Sequence, residues 1–244
     1  MSKEKYKLIR GRHPFVTVAE MRAHPELEFP TTPKDEGGAR FEGSTTPQVV
    51  EPWCAKDEPI LELGPVYGNF TKWLQDHSYT DVHTLDFVDF LYYPDKRTVT
   101  AHEIDFNTER FPYRDGMFGS ICAWGIMEHL ENPHHVIREA HRALRDDGIF
   151  LVSMPNILHL KSRLRLLRDG LFPRWNVKDN HIAVFPRGIF EKSFLRHFTL
   201  EDIVYTKPNW DLYSNRTSGI LPANEWFGNY VVYVLRKKHF EPYA

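Results

Sequence analysis

Between Pro59 and Pro155 short apolar runs alternate with amphipathic stretches, the pattern of a parallel sheet flanked by helices. PILELG, VHTLDF, TVTAHEID, FGSICAW and IFLVSMP read as five strands, each short enough to be buried on both faces. A helix is predicted over Asn69–His77, with Phe70, Trp73 and Leu74 on one face. A second opens at Asn132-Pro133, with Asn as N-cap and Pro in the first turn. Its stripe is Val136, Ile137, Ala140 and Leu144, and Gly148 is expected to end it. Ile157, Leu160, Leu164 and Leu167 recur at helical spacing with Lys161, Arg163, Arg165 and Arg168 between them, and Gly170 stops that segment. A further helix is predicted over Arg187–His197. Two strand-like stretches, LEDIVYTK and NYVVYVLR, close the chain around an aromatic loop with Trp210, Trp226 and Phe227.

Residues 1–50 lack this periodicity and are rich in proline, glycine and charge, so they read as an N-terminal extension with short helices, one over Thr17–Ala23, that either covers the active site or is a loose tail. Residues 51–244 form one domain, with a lid-like insertion around 157–185 and the aromatic loop around 207–229. The net charge of -2 gives no general attraction to nucleic acid or anionic membranes. Cys54 and Cys122 support neither a disulfide framework nor a zinc knuckle. The start of the chain has no apolar signal core and no run is long enough to span a membrane, so a cytoplasmic protein is expected, with at most transient membrane-surface contact.

The segment Glu62-Leu63-Gly64-Pro65-Val66-Tyr67-Gly68 lies between a strand and a helix. Glycine there lets the backbone approach a ligand, and the helix start offers free N–H groups to an anion. Asp86 ends the second strand about 20 residues on, where an acid can accept from both ribose hydroxyls. Asp105 and the Phe106 N–H follow the third strand, where an adenine amino group could be met, and Trp124 ends the fourth. Four successive strand ends therefore carry ligand-type groups at one sheet edge. Taken singly, Asp86 reads equally well as a helix cap and Asp105 as a turn residue.

The runs ILELGPVYGNF, LDF, FPYRDGMFGSICAWGIMEHLENP and HRALRDDGIFLVSMPN resemble the class I S-adenosylmethionine-dependent methyltransferases, in particular the subgroup with an EHL-type segment after strand four. The resemblance spans roughly residues 59–200 and implies a Rossmann-like α/β fold, a seven-stranded, mostly parallel sheet with helices on both faces, carrying an N-terminal extension. It assigns S-adenosyl-L-methionine as cofactor, with Glu62, Gly64 and Gly68 at its methionine end, Asp86 at the ribose, and Asp105 with Phe106 at the adenine. The family's middle glycine is Val66 here, which crowds the loop.

For the chemistry, His129 and His181 are the candidate general bases, the second within Asp179-Asn180-His181-Ile182. Glu128, His129 and His181 also match three ligands of the Glu-x-x-Glu-His magnesium motif of small-RNA 2′-O-methyltransferases. The remaining glutamate falls at Gly125, and magnesium favours carboxylate and water over imidazole, so no metal is expected. The expected reaction is O-methylation of a small-molecule acceptor: a sugar, a lipid-linked saccharide or a secondary metabolite. The alternatives are an RNA methyltransferase using the basic 158–178 stretch, and a non-catalytic binding protein on the same fold.

Overall fold

The computed structural model describes residue 23 and residues 46–175, 180–206 and 221–239. Most of the predicted N-terminal extension, Trp210 and Asp179 lie outside them. Seven strands form one sheet: β1 (Ile60–Leu63), β2 (Val82–Asp86), β3 (Val99–Glu103), β4 (Phe118–Trp124), β5 (Leu144–Pro155), β6 (Phe198–Tyr205) and β7 (Tyr230–Lys237). Their order is β3-β2-β1-β4-β5-β7-β6. The β1–β2, β1–β4, β2–β3 and β4–β5 pairs are parallel. Only β7 runs against its neighbours, pairing antiparallel with β5 and β6. The chain therefore reverses between β1 and β4, and it is at such a switch point that an open α/β sheet binds ligands beyond its carboxyl ends.

The central strands β1 and β2 are buried at every position, as expected of parallel strands covered on both faces. Described helices are α1 (Thr46–Val50), α2 (Asn69–Asp76), α3 (Pro133–Ala143), α4 (Leu160–Asp169) and α5 (Arg187–Ser193). Helix α2 buries Phe70, Trp73 and Leu74 in a cluster with Ile60, Val82 and Cys122 on one face of the sheet. Helices α3 and α5 cover the other face through Val136, Ile137, Ala140 and Phe190, against Leu61, Ile121 and Phe150. Each such large apolar side chain contributes about 1.5–3 kcal/mol on burial, which makes the two clusters the main source of stability.

Helix α3 starts as the sequence indicates: the Asn132 side chain accepts from the His135 N–H and Pro133 occupies the first turn. It ends earlier, at Ala143. Leu144 is already extended and pairs with Phe118 across the sheet. Leu144 is completely buried, and Asp147 makes the turn at φ 59 just before Gly148. Burying Leu144 in the sheet outweighs one more turn of helix. Helix α4 stops at Gly170 in the left-handed conformation, but Leu164 and Leu167 of its stripe are exposed, at 57% and 85%. Among the described residues no helix is long and apolar enough to cross a membrane.

Candidate active site

The carboxyl ends of β1 and β2 carry two buried acids. Glu62 accepts a hydrogen bond from the Thr71 hydroxyl of α2. Asp86 accepts from the backbone N–H groups of Val66, at 3.1 Å, and Phe87, at 2.8 Å. Burial pushes Glu62 up to about 8, with the charge of Asp86 adding to it. Burial likewise pushes Asp86 up to about 7, against the pull of its two N–H donors. Among the described residues neither acid is paired with a cation, and such buried acids suit a ligand that brings positive charge or hydroxyl donors.

Between them runs the glycine loop. Gly64 sits at φ 67, and a Cβ there would lie 2.3 Å from Ile126 Cδ1, so only glycine fits beneath the turn that follows β4. Gly68 is the left-handed N-cap of α2, with Leu91 and Pro94 against it. Val66 also adopts a positive φ, of 49, which is costly for a β-branched residue. At the position where the family carries glycine, this chain keeps the glycine conformation with a valine side chain. The Oδ1 of Asn69, in the first turn of α2, is buried without a hydrogen-bond partner. Sequence reasoning passed over Asn69; its place directly after Gly68 was the available signal.

The remaining predicted contacts are placed as follows. The Asp105 carboxylate accepts from the Asn107 N–H and from the Thr108 hydroxyl, closing a turn of the kind weighed for it. Phe106 is buried, its ring edge to face with Phe111. Trp124 packs edge to face on Phe70, at 5.3 Å, and its indole N–H is buried without a partner. Two buried acids, an orphan acceptor and a loop that excludes Cβ atoms suit a ligand that presents an ammonium, a sulfonium and a ribose diol.

Past β4 the chain makes a 3-10 turn, Met127–His129. The N–H groups of Ile182 and Ala183 both donate to the Glu128 carbonyl, at 2.8 and 3.0 Å, which brings His181 onto this turn. The His129 and His181 rings meet edge to face with centroids 4.6 Å apart. Glu128, His129 and His181 each have one ligand-type atom within 4.8 Å of the other two. Glu128 is buried, which pushes its carboxyl up to about 7 despite the positive field of Arg174. Burial and the neighbouring His129 and Arg174 lower His181 to about 4, so its ring is neutral near pH 7. The two predicted histidines are thus brought together, and Glu128 joins them.

Glu128 also lines a cavity of about 390 Å³ beyond the end of β5. Met154, Phe185, Phe190 and Tyr233 give it an apolar body, and Ile157 and Trp175 wall it from the 157–185 segment. That segment is anchored by Asn156, whose side-chain amide donates to the carbonyls of Glu225 and Gly228. Arg163 of α4 pairs with Glu225 and lies 4.0 Å over the Trp226 ring. Arg174 donates to the Tyr230 hydroxyl and stacks over its ring at 4.5 Å. Neither partnership was visible from spacing in the sequence.

The family described as "Methyltransferase domain" matches residues 43–197, well over half of the chain, and the chain belongs to it. No curated protein matches in sequence. Among solved structures, an S-adenosylmethionine-dependent methyltransferase from Mesorhizobium loti is similar with a TM-score of 0.57 and 16% identity, over 80% of this chain and 99% of the other. A chain from the complex between the Haloferax volcanii Trm112 methyltransferase activator and a methyltransferase gives 0.56 and 14%, over 85% and 100%. A Thermotoga maritima methyltransferase, described as a possible histamine N-methyltransferase, gives 0.57 and 17%, over 78% and 86%. The fold is therefore the Rossmann-like methyltransferase fold, and the chain is an S-adenosylmethionine-dependent methyltransferase.

Proposed function

We propose that this methyltransferase acts on an oxygen of a small acceptor with an apolar body, of the secondary-metabolite or lipid-linked kind. The observation that carries the reading is the cavity beyond β5: its volume is that of a small-molecule site, most of its lining is apolar, and Glu128, with Arg187, Glu191 and Glu225, supplies the charged groups. Gly64 lies against Ile126, two residues before Glu128, so the cofactor loop and this corner share one wall.

Glu62, Asn69, Asp86 and the Gly64–Gly68 loop would hold the cofactor, with Asp105 and Phe106 at its adenine end and Trp124 beside α2. Bound there, S-adenosylmethionine supplies an electrophilic methyl group. What the protein adds is alignment and the exclusion of water, because an in-line displacement gains most from a fixed approach geometry. The apolar walls hold the acceptor body, and the Glu128–His129–His181 corner faces the hydroxyl whose proton must leave.

The RNA reading finds less support. Of the basic residues in 158–178, Arg163 pairs with Glu225, and Arg165 and Arg168 both face Asp169, so part of the positive charge of this stretch is already paired within the protein. The test is transfer of a radiolabelled methyl group to a panel of phenols, lipid alcohols and glycolipids, with total RNA in parallel. Label in an apolar hydroxyl compound is the expected result. Label in RNA alone, with affinity falling steeply with salt, would replace this reading by the RNA one.

A further inference from the structure

We propose that Glu128, His129 and His181 form a binding site for a divalent transition metal of the zinc and cobalt class, at the polar corner of the acceptor cavity. This goes beyond methyl transfer to a hydroxyl and does not depend on it.

The geometry is the first support. One carboxylate and two imidazoles converge from two separate segments, each with one ligand-type atom within 4.8 Å of the other two. Around a tetrahedral ion with bonds of about 2.1 Å, ligands stand about 3.4 Å apart, so small side-chain rotations close the set. The backbone is already fixed for this, because Ile182 and Ala183 both donate to the Glu128 carbonyl. The rings of His129 and His181 are nearly perpendicular, at 81°, so their edges can approach a common point without stacking.

The second support is unmet bonding. Glu128 is only 2% exposed, yet its Oε2 has no hydrogen-bond partner, and the Nδ1 of His181 is also buried without one. A buried carboxylate oxygen left bare is costly, and a cation satisfies it. The cation nearest in charge, Arg174, directs its guanidinium to the Tyr230 hydroxyl and ring. Its field lowers the affinity for any ion, so the site is expected to be moderate in strength.

The donor set decides the metal. Two imidazoles with one carboxylate are the ligands of zinc, iron(II) and cobalt(II), and they leave positions open for water or substrate. Magnesium and calcium, which take oxygen ligands, are a poor fit. This departs from the absence of a metal expected on the magnesium motif: the position of the missing glutamate is Gly125, but a three-ligand set of this softness does not need it. The open face of such an ion would lie toward the cavity that Glu128 lines.

The test is titration of the full, metal-stripped chain with cobalt(II), read by visible d–d absorption, and with zinc(II), read by calorimetry. Wild type is expected to bind one equivalent at micromolar dissociation constant or tighter, with absorption typical of four- or five-coordinate nitrogen and oxygen ligation. His181→Ala and Glu128→Gln should each weaken binding by about a hundred-fold, more than the loss of an outer-sphere partner costs. Both variants should keep wild-type affinity for S-adenosylhomocysteine, which verifies that they are folded. The chain has 13 histidines, so surface binding is the competing explanation. Cobalt binding equal in wild type and both variants, or no stoichiometric binding, would overturn the proposal. Stoichiometric binding without transfer to any hydroxyl acceptor would count against O-methylation and leave the metal site standing.

Discussion

The backbone N–H of Val66 donates to the Asp86 carboxylate at 3.1 Å, tying the loop after β1 to the end of β2. Val66 makes this bond from a left-handed backbone, at φ 49, that its side chain disfavours. The cofactor loop is therefore shaped by an acid, at the expense of a strained valine.

Val66→Gly is expected to release this strain. A non-glycine residue in the left-handed region costs about 1–2 kcal/mol, and glycine returns about half of that through the greater freedom of the unfolded chain. The net gain of about 0.5–1 kcal/mol should raise the unfolding midpoint by about 1–3 °C. Thermal unfolding of the cofactor-free protein checks it, and a lower midpoint would show that Val66 makes contacts worth more than its strain.

Asp86→Asn should stabilise the free protein while abolishing cofactor binding. The folded carboxyl titrates at about 7, above its value in an unfolded chain, so the folded state binds the extra proton. The burial penalty is absent below about pH 4, grows through the interval to pH 7, and is complete above it. The variant's advantage over wild type should follow the same course and reach about 2 kcal/mol at pH 8, after allowance for a weakened N–H acceptor. Chemical denaturation at pH 4, 6 and 8 measures it, and an advantage that shrinks as pH rises would contradict the sign.

Cofactor binding should release protons. Glu62, pushed up to about 8, and Asp86, at about 7, both hold protons over part of the neutral range. A ligand that presents an ammonium group and ribose hydroxyl donors to these carboxyls favours their ionised forms, so affinity should rise with pH between 6 and 8 by up to about ten-fold per unit for each proton released. Calorimetry of S-adenosylhomocysteine binding in buffers of different ionisation enthalpy counts the protons directly. A pH-independent affinity would mean that both acids are already ionised.

Gly64→Ala should be severe, because its Cβ would sit 2.3 Å from Ile126 Cδ1 on a backbone at φ 67. A loss of about 2–3 kcal/mol in stability is expected, together with loss of cofactor binding. Adding Ile126→Ala removes the clash but not the backbone strain. The double variant should therefore recover part of the loss, a coupling that a double-mutant cycle resolves. Strict additivity would show that Ile126 gives way freely.

The strands and the two buried acids at their ends were legible in the sequence because they rest on local signals. A strand buried on both faces must be a short apolar run, and Glu62 and Asp86 stand out as acids at the ends of such runs. The Glu128–His129–His181 corner was grouped in the sequence only through its likeness to a magnesium motif, and spacing alone does not bring its three residues together. Glu128 and His129 are adjacent in the chain, but His181 reaches them through backbone bonds between distant segments, which no periodicity encodes. The stripe of α4 misleads for a related reason: helical spacing fixes which residues share a face, and tertiary packing decides whether that face is covered. Leu167, 85% exposed, lies on a face that the described residues leave open. At Leu144 local preference favoured helix, and a place in the sheet core overrode it.

The segment between Asn156 and Ala183 is pinned at both ends, by the Asn156 amide on the Glu225 and Gly228 carbonyls and by the Ile182 and Ala183 N–H groups on Glu128. Those posts use backbone on one side of every bond, so they hold whatever residues stand between them. Side chains between the posts can change without loss of either anchor, and Ile157, Leu158 and Trp175 among them line the cavity. Drift in this stretch is therefore expected to recut one wall of the cavity while the loop after β1 keeps its shape.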